Sequence, residues 1–179
     1  MTTRAAVAAL TVALALVAAG CGGSDEEGDS TASWASGFCT AITDWTDSIQ
    51  EVTSQFSDTS NLSQNGLQSA ADDVGSSTEQ LVDDLRDLGS PDTDSGDGIR
   101  SSLESLSTTL QTEAGNIEEA VDGISGITGI ASAITAVSTS LSAMGRAFAS
   151  SLQTIEAADV GGELQSALED SPECAGISS

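Results

Sequence analysis

Between Trp34 and Phe56 the large side chains fall at Trp34, Phe38, Ile42, Trp45, Ile49, Val52 and Phe56, in steps of four, four, three, four, three and four. That spacing puts all seven on one side of an α-helix. Asp44, Asp47 and Glu51 each follow a stripe residue by two places, a rotation of about 200°, and so face away from it. A helix with one wide apolar face is not stable alone and requires partners with matching stripes.

Three further stripes follow. Leu67, Ala71, Val74, Thr78, Leu81, Leu85 and Leu88 predict a second helix, thinner in its middle, where Gly75 lowers helix propensity by about 1 kcal/mol. Ser, Asn, Asp and Gly from Ser57 to Gly66 read as the turn before it, and Gly89 as its end. Ile99, Leu103, Leu106, Leu110, Ala114, Ile117, Val121 and Ile124 predict a third. Ile127, Ile130, Ile134, Val137, Leu141, Met144, Phe148, Leu152 and Ile155 predict a fourth, with the reversal between the two at Gly123, Gly126 and Gly129. Gly161 and Gly162 stop the fourth helix, and a short amphipathic piece with Leu164 and Leu168 inward leads to Pro172 and Cys174. Helices of comparable length on short connections predict an all-α, up-down-up-down four-helix bundle over residues 34–176, with a short C-terminal helix and one disulfide.

The formal charge of −24 comes from 28 acids against 4 basic residues, with no Lys, His or Tyr anywhere. Such a chain is repelled by nucleic acid, which is held through basic contacts to phosphate, and by anionic lipid headgroups. The acids read as a solvated face that maintains solubility. The missing residue types exclude the usual Ser or Cys triads, a Schiff-base lysine, a P-loop and a Glu-x-x-His di-iron site. The chain therefore reads as non-enzymatic, with no catalytic residue, no metal and no cofactor. A carboxylate hydrolase is the remote alternative.

The loop from Pro91 to Gly98 invites a calcium reading. Counted from Asp92, however, the fifth, sixth and twelfth places of an EF-hand are Gly96, Asp97 and Leu103, where ligands or a glycine are required. A cap on the third helix by Ser95 or Asp97 explains the loop better. Arg100 is expected to pair with a loop aspartate or with Glu104 one turn on. Trp34 and Trp45 lie on the core stripe, so packing outweighs sugar stacking unless Trp34 is exposed.

Arg4 precedes a run from Ala5 to Ala19 made largely of Ala, Val and Leu, a length that suits a signal peptide and is short for a membrane span. Val17-Ala18-Ala19-Gly20-Cys21 resembles the lipobox of bacterial lipoproteins, although Ala18 stands where that family usually carries a bulky aliphatic residue. The resemblance implies removal of residues 1–20, a fatty-acyl (palmitate) anchor on Cys21, and a place on the outer face of the cytoplasmic membrane. The other reading is cleavage after Ala19 and secretion of a soluble protein. Residues 21–33 read as the lipidated cysteine and a disordered acidic tether. If Cys21 carries lipid, Cys39 and Cys174 remain as a pair for a disulfide in an oxidising compartment; two free buried thiols are the alternative. An even helix count brings Cys174 back to the end of the molecule that holds Cys39.

From Gly123 to Gly145 no residue is charged. The face carrying Ser132, Thr135, Ser138, Thr139 and Ser142 is small and flat, and reads as sheltered by a neighbour or as a contact surface for an envelope protein or a second copy. Cys21, Trp34, Phe38-Cys39, Trp45 and Pro172-Glu173-Cys174 together resemble the small helical lipoproteins of high-GC actinobacteria, a group with no agreed activity to carry over. The expectation is a membrane-anchored, non-enzymatic binding or scaffold module. The alternative is a carrier holding a small apolar ligand in a cavity near Ala70, Ala71, Val74 and Gly75.

Overall fold

The computed structural model describes residues 24–55, 63–159 and 161–176. The lipobox stretch with Cys21, Phe56 at the end of the first stripe, and the start of the first turn lie outside them. Among the described residues the protein is all helical: α1 (Ser24–Gln55), α2 (Gln64–Leu88), α3 (Gly96–Asp122), α4 (Gly126–Ala158), a short α5 (Glu163–Asp170), and a 3-10 turn at Pro172–Gly176.

Helix α1 begins well before the expected tether ends. Its backbone is helical from Ser24, and Thr31, three residues ahead of Trp34, is already buried. The reason is tertiary: polar residues that bury nothing in an isolated helix are carried along by the turn anchored at Thr31, Trp34 and Ala35.

The stripe from Trp34 to Val52 is buried except for Ile49, which is half-buried. Helix α2 covers it along one side. Trp34 Nε1 donates to the carbonyl of Gly89 at 3.0 Å, so the start of α1 is tied to the end of α2. Half-way along, Trp45 Nε1 donates to Thr78 Oγ1 at 3.3 Å and supplies the bulk that the thin middle of α2 lacks. Ala70, Ala71, Val74 and Gly75 are all buried, so the thin stretch faces inward. Gly89 caps α2 at φ 66°, a left-handed conformation that costs a residue with a Cβ about 1 kcal/mol or more. At the other end Ser63 accepts the amide of Gly66 and caps the helix start.

The buried residues of α3 are those of its expected stripe, and Arg100 Nε meets Glu104 Oε1 at 3.2 Å, as its spacing implies. Its cap differs from expectation. Ser95 occupies the N-cap position but donates its hydroxyl to the carbonyl of Ala158 at the end of α4, and so joins two helix ends instead of capping one.

Backbone packing runs from α1 to α2, α2 to α3 and α3 to α4, and is most extensive in the last pair. Among the described residues α1 and α4 share little of such packing. The far side of α1 is covered by α5 and the 3-10 turn, which the disulfide between Cys39 and Cys174 holds in place with a Cα separation of 5.0 Å. Next to it, the Ser171 hydroxyl donates to Glu173 Oε2 at 2.8 Å and holds that carboxyl below the usual carboxylate range, helped by the backbone at Glu173. A lowered carboxyl pKa favours folding at neutral pH and loses that effect as the pH falls through it.

Two outcomes follow from the packing. Cutting the bridge frees a loop spanning 135 residues of sequence separation in the unfolded chain. Cys39→Ser is therefore expected to lower unfolding free energy by up to about 5 kcal/mol, read as a fall in the urea midpoint relative to the oxidised protein. Gly75→Ala places a methyl group against only the terminal oxygen of the exposed Glu118 side chain, which can swing aside. It should stabilise the protein by about 0.5–1 kcal/mol in the same experiment, through helix propensity.

Candidate functional site

Helix α4 departs most from the pattern of its sequence. The buried residues are Ala133, Val137, Ser140, Met144, Ser151 and Ile155. Ile130, Ile134, Leu141, Phe148 and Leu152, all expected in the core, are only half-buried. The side chain of Ile127 lies outside the described residues. At 100° per residue the centre of the buried face is about 60° from the line through Leu141, so the helix is rotated toward its small side. The cause is visible at α3. Ser151 Oγ lies 3.0 Å from Ser102 Oγ, and Ala133 and Ser140 share its side of the helix. Small residues there let two backbones approach closely, and the gain in packing along α3 outweighs full burial of the larger side chains.

The rotation leaves an acid-free surface, on which Arg146 is the one charged residue lining the shallow depression with Ile134, Thr135, Ser138, Thr139 and Ser142. The five residues expected to form it, Ser132, Thr135, Ser138, Thr139 and Ser142, are all exposed. Four of their hydroxyls are already used: Ser132, Thr135, Thr139 and Ser142 donate back to the carbonyls of Thr128, Ala131, Thr135 and Ser138, at 2.7–3.2 Å. With their protons committed inside the helix, these side chains offer a partner acceptor oxygens and carbon but no free donor. The half-buried Ile134 and Leu141 border Ser138 directly, so the face is less polar than its composition suggests.

A groove is lined by residues of α1, α4 and α5. It has a volume of about 370 Å³ and is floored by Phe38, Ile155 and Leu164 beside the Cys39–Cys174 bridge. Leu152 and Leu168 form its walls, and Glu156, Asp159 and Glu169 stand among its lining residues. The sequence signals nothing of this groove, because α5 reads only as a short amphipathic piece with no stated neighbour. A second groove, of about 400 Å³ between α2 and α3, includes Arg86 and Arg100. Both are engaged along their own helices, Arg86 with Asp83 and Arg100 with Glu104.

The other candidates resolve simply. Trp34 is 5 % exposed and stacks on Phe38 with ring centroids 5.2 Å apart, which removes the condition for a sugar platform. Among the described residues no three Asp, Glu or Cys side chains converge as a metal site would require, and no helix is long and apolar enough to cross a membrane. No family model, curated protein or solved structure matches the chain.

Because α4 depends on close approach to α3, enlarging the buried small side should be costly and enlarging the outer side should not. Ala133→Leu is expected to lower unfolding free energy by about 1–3 kcal/mol in urea titrations. Ser138→Leu should change it by less than about 0.5 kcal/mol.

Proposed function

We propose that this protein is an extracytoplasmic, lipid-anchored, non-enzymatic binding module, built as an up-down-up-down arrangement of four helices, whose α4 face associates with a second copy of the chain. Support for the compartment comes from the Cys39–Cys174 disulfide, a bond that persists where the environment is oxidising. Together with the lipobox-like run ending at Cys21, it favours a domain held outside the cytoplasmic membrane by lipid on that cysteine.

The observation that carries the binding role is the α4 surface. Ile130, Ile134, Leu141, Phe148 and Leu152 are half-exposed beside a flat, acid-free surface bordered by Arg146, in a protein with 28 acids. Their spacing is self-complementary. Ile134 and Phe148 each lie seven residues from Leu141, and Ile130 and Leu152 each lie eleven. In an antiparallel pair centred on Leu141, Ile134 would face the partner's Phe148 and Ile130 the partner's Leu152, as a twofold interface requires. Two chains that are each strongly negative repel wherever acids meet, so the acid-free stretch is where they can approach.

Sedimentation equilibrium of the oxidised protein at high micromolar concentration tests the contact. A dimer is expected, and Ser138→Asp should give a monomer with an unchanged urea midpoint. A monomeric wild type, or a dimer that survives the substitution, removes this reading; a monomer that instead captures another envelope protein through α4 replaces the second copy with that partner. The anchor is tested separately by intact mass on protein extracted from its own envelope. A diacylglyceryl modification on Cys21 is expected, and an unmodified chain beginning after Ala19 overturns it.

A further inference from the structure

The groove between α1, α4 and α5 has a chemistry distinct from that of the α4 surface. Its floor is fully apolar: Phe38, Ile155 and Leu164 are buried in the protein yet form the base of an open space of about 370 Å³, within the lower range of small-molecule sites. Its charged residues carry one sign, and Gln165 is the neutral polar residue among them. Glu156 and Asp159 come from the end of α4 and Glu169 from α5, and no arginine is among the lining residues. Of the three arginines among the described residues, Arg86 and Arg100 are paired with their own acids elsewhere, so neither supplies a counter-charge here.

The carboxylates are held in position. Asp159 Oδ2 accepts the amide of Gln165 at 2.7 Å, and Gln165 Nε2 donates to Glu169 Oε1 at 2.8 Å. One short network therefore ties the end of α4 to α5 and fixes two of the acids beside the opening. The disulfide holds the opposite wall, because Cys39 and Cys174 both line the groove. A site with an apolar floor, a braced acidic opening and no internal cation is complementary to a molecule with an apolar body and a positive head.

We infer that this groove binds a small cationic amphiphile, an alkyl or aryl amine whose hydrocarbon lies on Phe38, Ile155 and Leu164 while its ammonium meets Glu156, Asp159 and Glu169. A neutral ligand of the same shape would gain no attraction from the acids, and an anionic one would be repelled by them. The binding site is separate from the proposed pairing surface, although Leu152 borders both.

The test is titration of the oxidised full-length chain, in detergent-free buffer, with n-octylammonium, 1-octanol and octanoate. Tryptophan fluorescence is the readout, because Trp34 stacks on the Phe38 ring that floors the groove. Saturable one-to-one binding of octylammonium is expected, at least about tenfold tighter than octanol and weakened by added salt. Two variants locate it. Leu168→Phe adds bulk to the groove without adding an indole and should abolish the signal. Glu156→Gln combined with Glu169→Gln leaves the apolar lining intact and should weaken octylammonium by about tenfold while leaving octanol unchanged. Both variants are compared at equal helicity by circular dichroism. Absence of saturable binding, equal affinity for all three probes, or indifference to the double glutamine variant each overturns the inference.

Discussion

Helix α1 cannot persist unless both of its sides are covered, and the rest of the molecule is arranged to cover them. Its aromatic and aliphatic stripe spans more of its circumference than one neighbour can shield. Helix α2 takes one flank, through the Trp34 to Gly89 and Trp45 to Thr78 hydrogen bonds. The other flank falls to α5 and the 3-10 turn, elements too short to hold their position by propensity. The Cys39–Cys174 bridge supplies what they lack, by restricting the unfolded chain and not by adding buried area. Small terminal elements and a covalent link thus take the place that direct α1 to α4 packing would fill in a symmetric bundle.

This division explains which parts of the fold were legible. In α1, α2 and α3 the apolar stripe and the acids oppose each other, so period and polarity identify the same inward side. Ile99 to Val121 are buried as their spacing implies, and Gly89 ends α2 because the chain there requires a positive φ. In α4 the acids are missing from Gly123 to Gly145, and with them the mark of the outer side. Period alone then leaves two adjacent faces, one large and apolar and one small. Side-chain size favours the first, and the close approach of α3 selects the second. The N-terminal extension of α1 was illegible for a related reason: its small, polar and acidic sequence carries no apolar rhythm to detect.

The candidate sites divide along the same line. The serine and threonine face could be found from charge depletion, because an absence of acids in so acidic a chain is itself a signal. The groove beside α5 could not. Its residues come from α1, α4 and α5, and nothing in their spacing announces that Phe38, Ile155 and Leu164 meet. The small residues near Gly75 carry no such signal by themselves, because whether they leave space depends on the bulk of the opposite helix, where Trp45 reaches Thr78.

Both proposed binding surfaces trace to the same rotation of α4. Turning Ala133, Ser140 and Ser151 toward α3 carries Leu141 and Phe148 away from the centre and moves Leu152 out to the wall of the groove. Were α4 turned by about 60° to bury its large residues, Leu152 would move toward the core and leave the groove without that wall, and the outer face would lose its apolar border. The close contact with α3 and the two exposed surfaces are therefore one structural choice. Ser151, bonded to Ser102 in that contact, lies next to Leu152 in sequence and on the side that holds it outward. A mutation that loosens α3 from α4 should accordingly disturb the pairing face and the groove together, even where it touches neither.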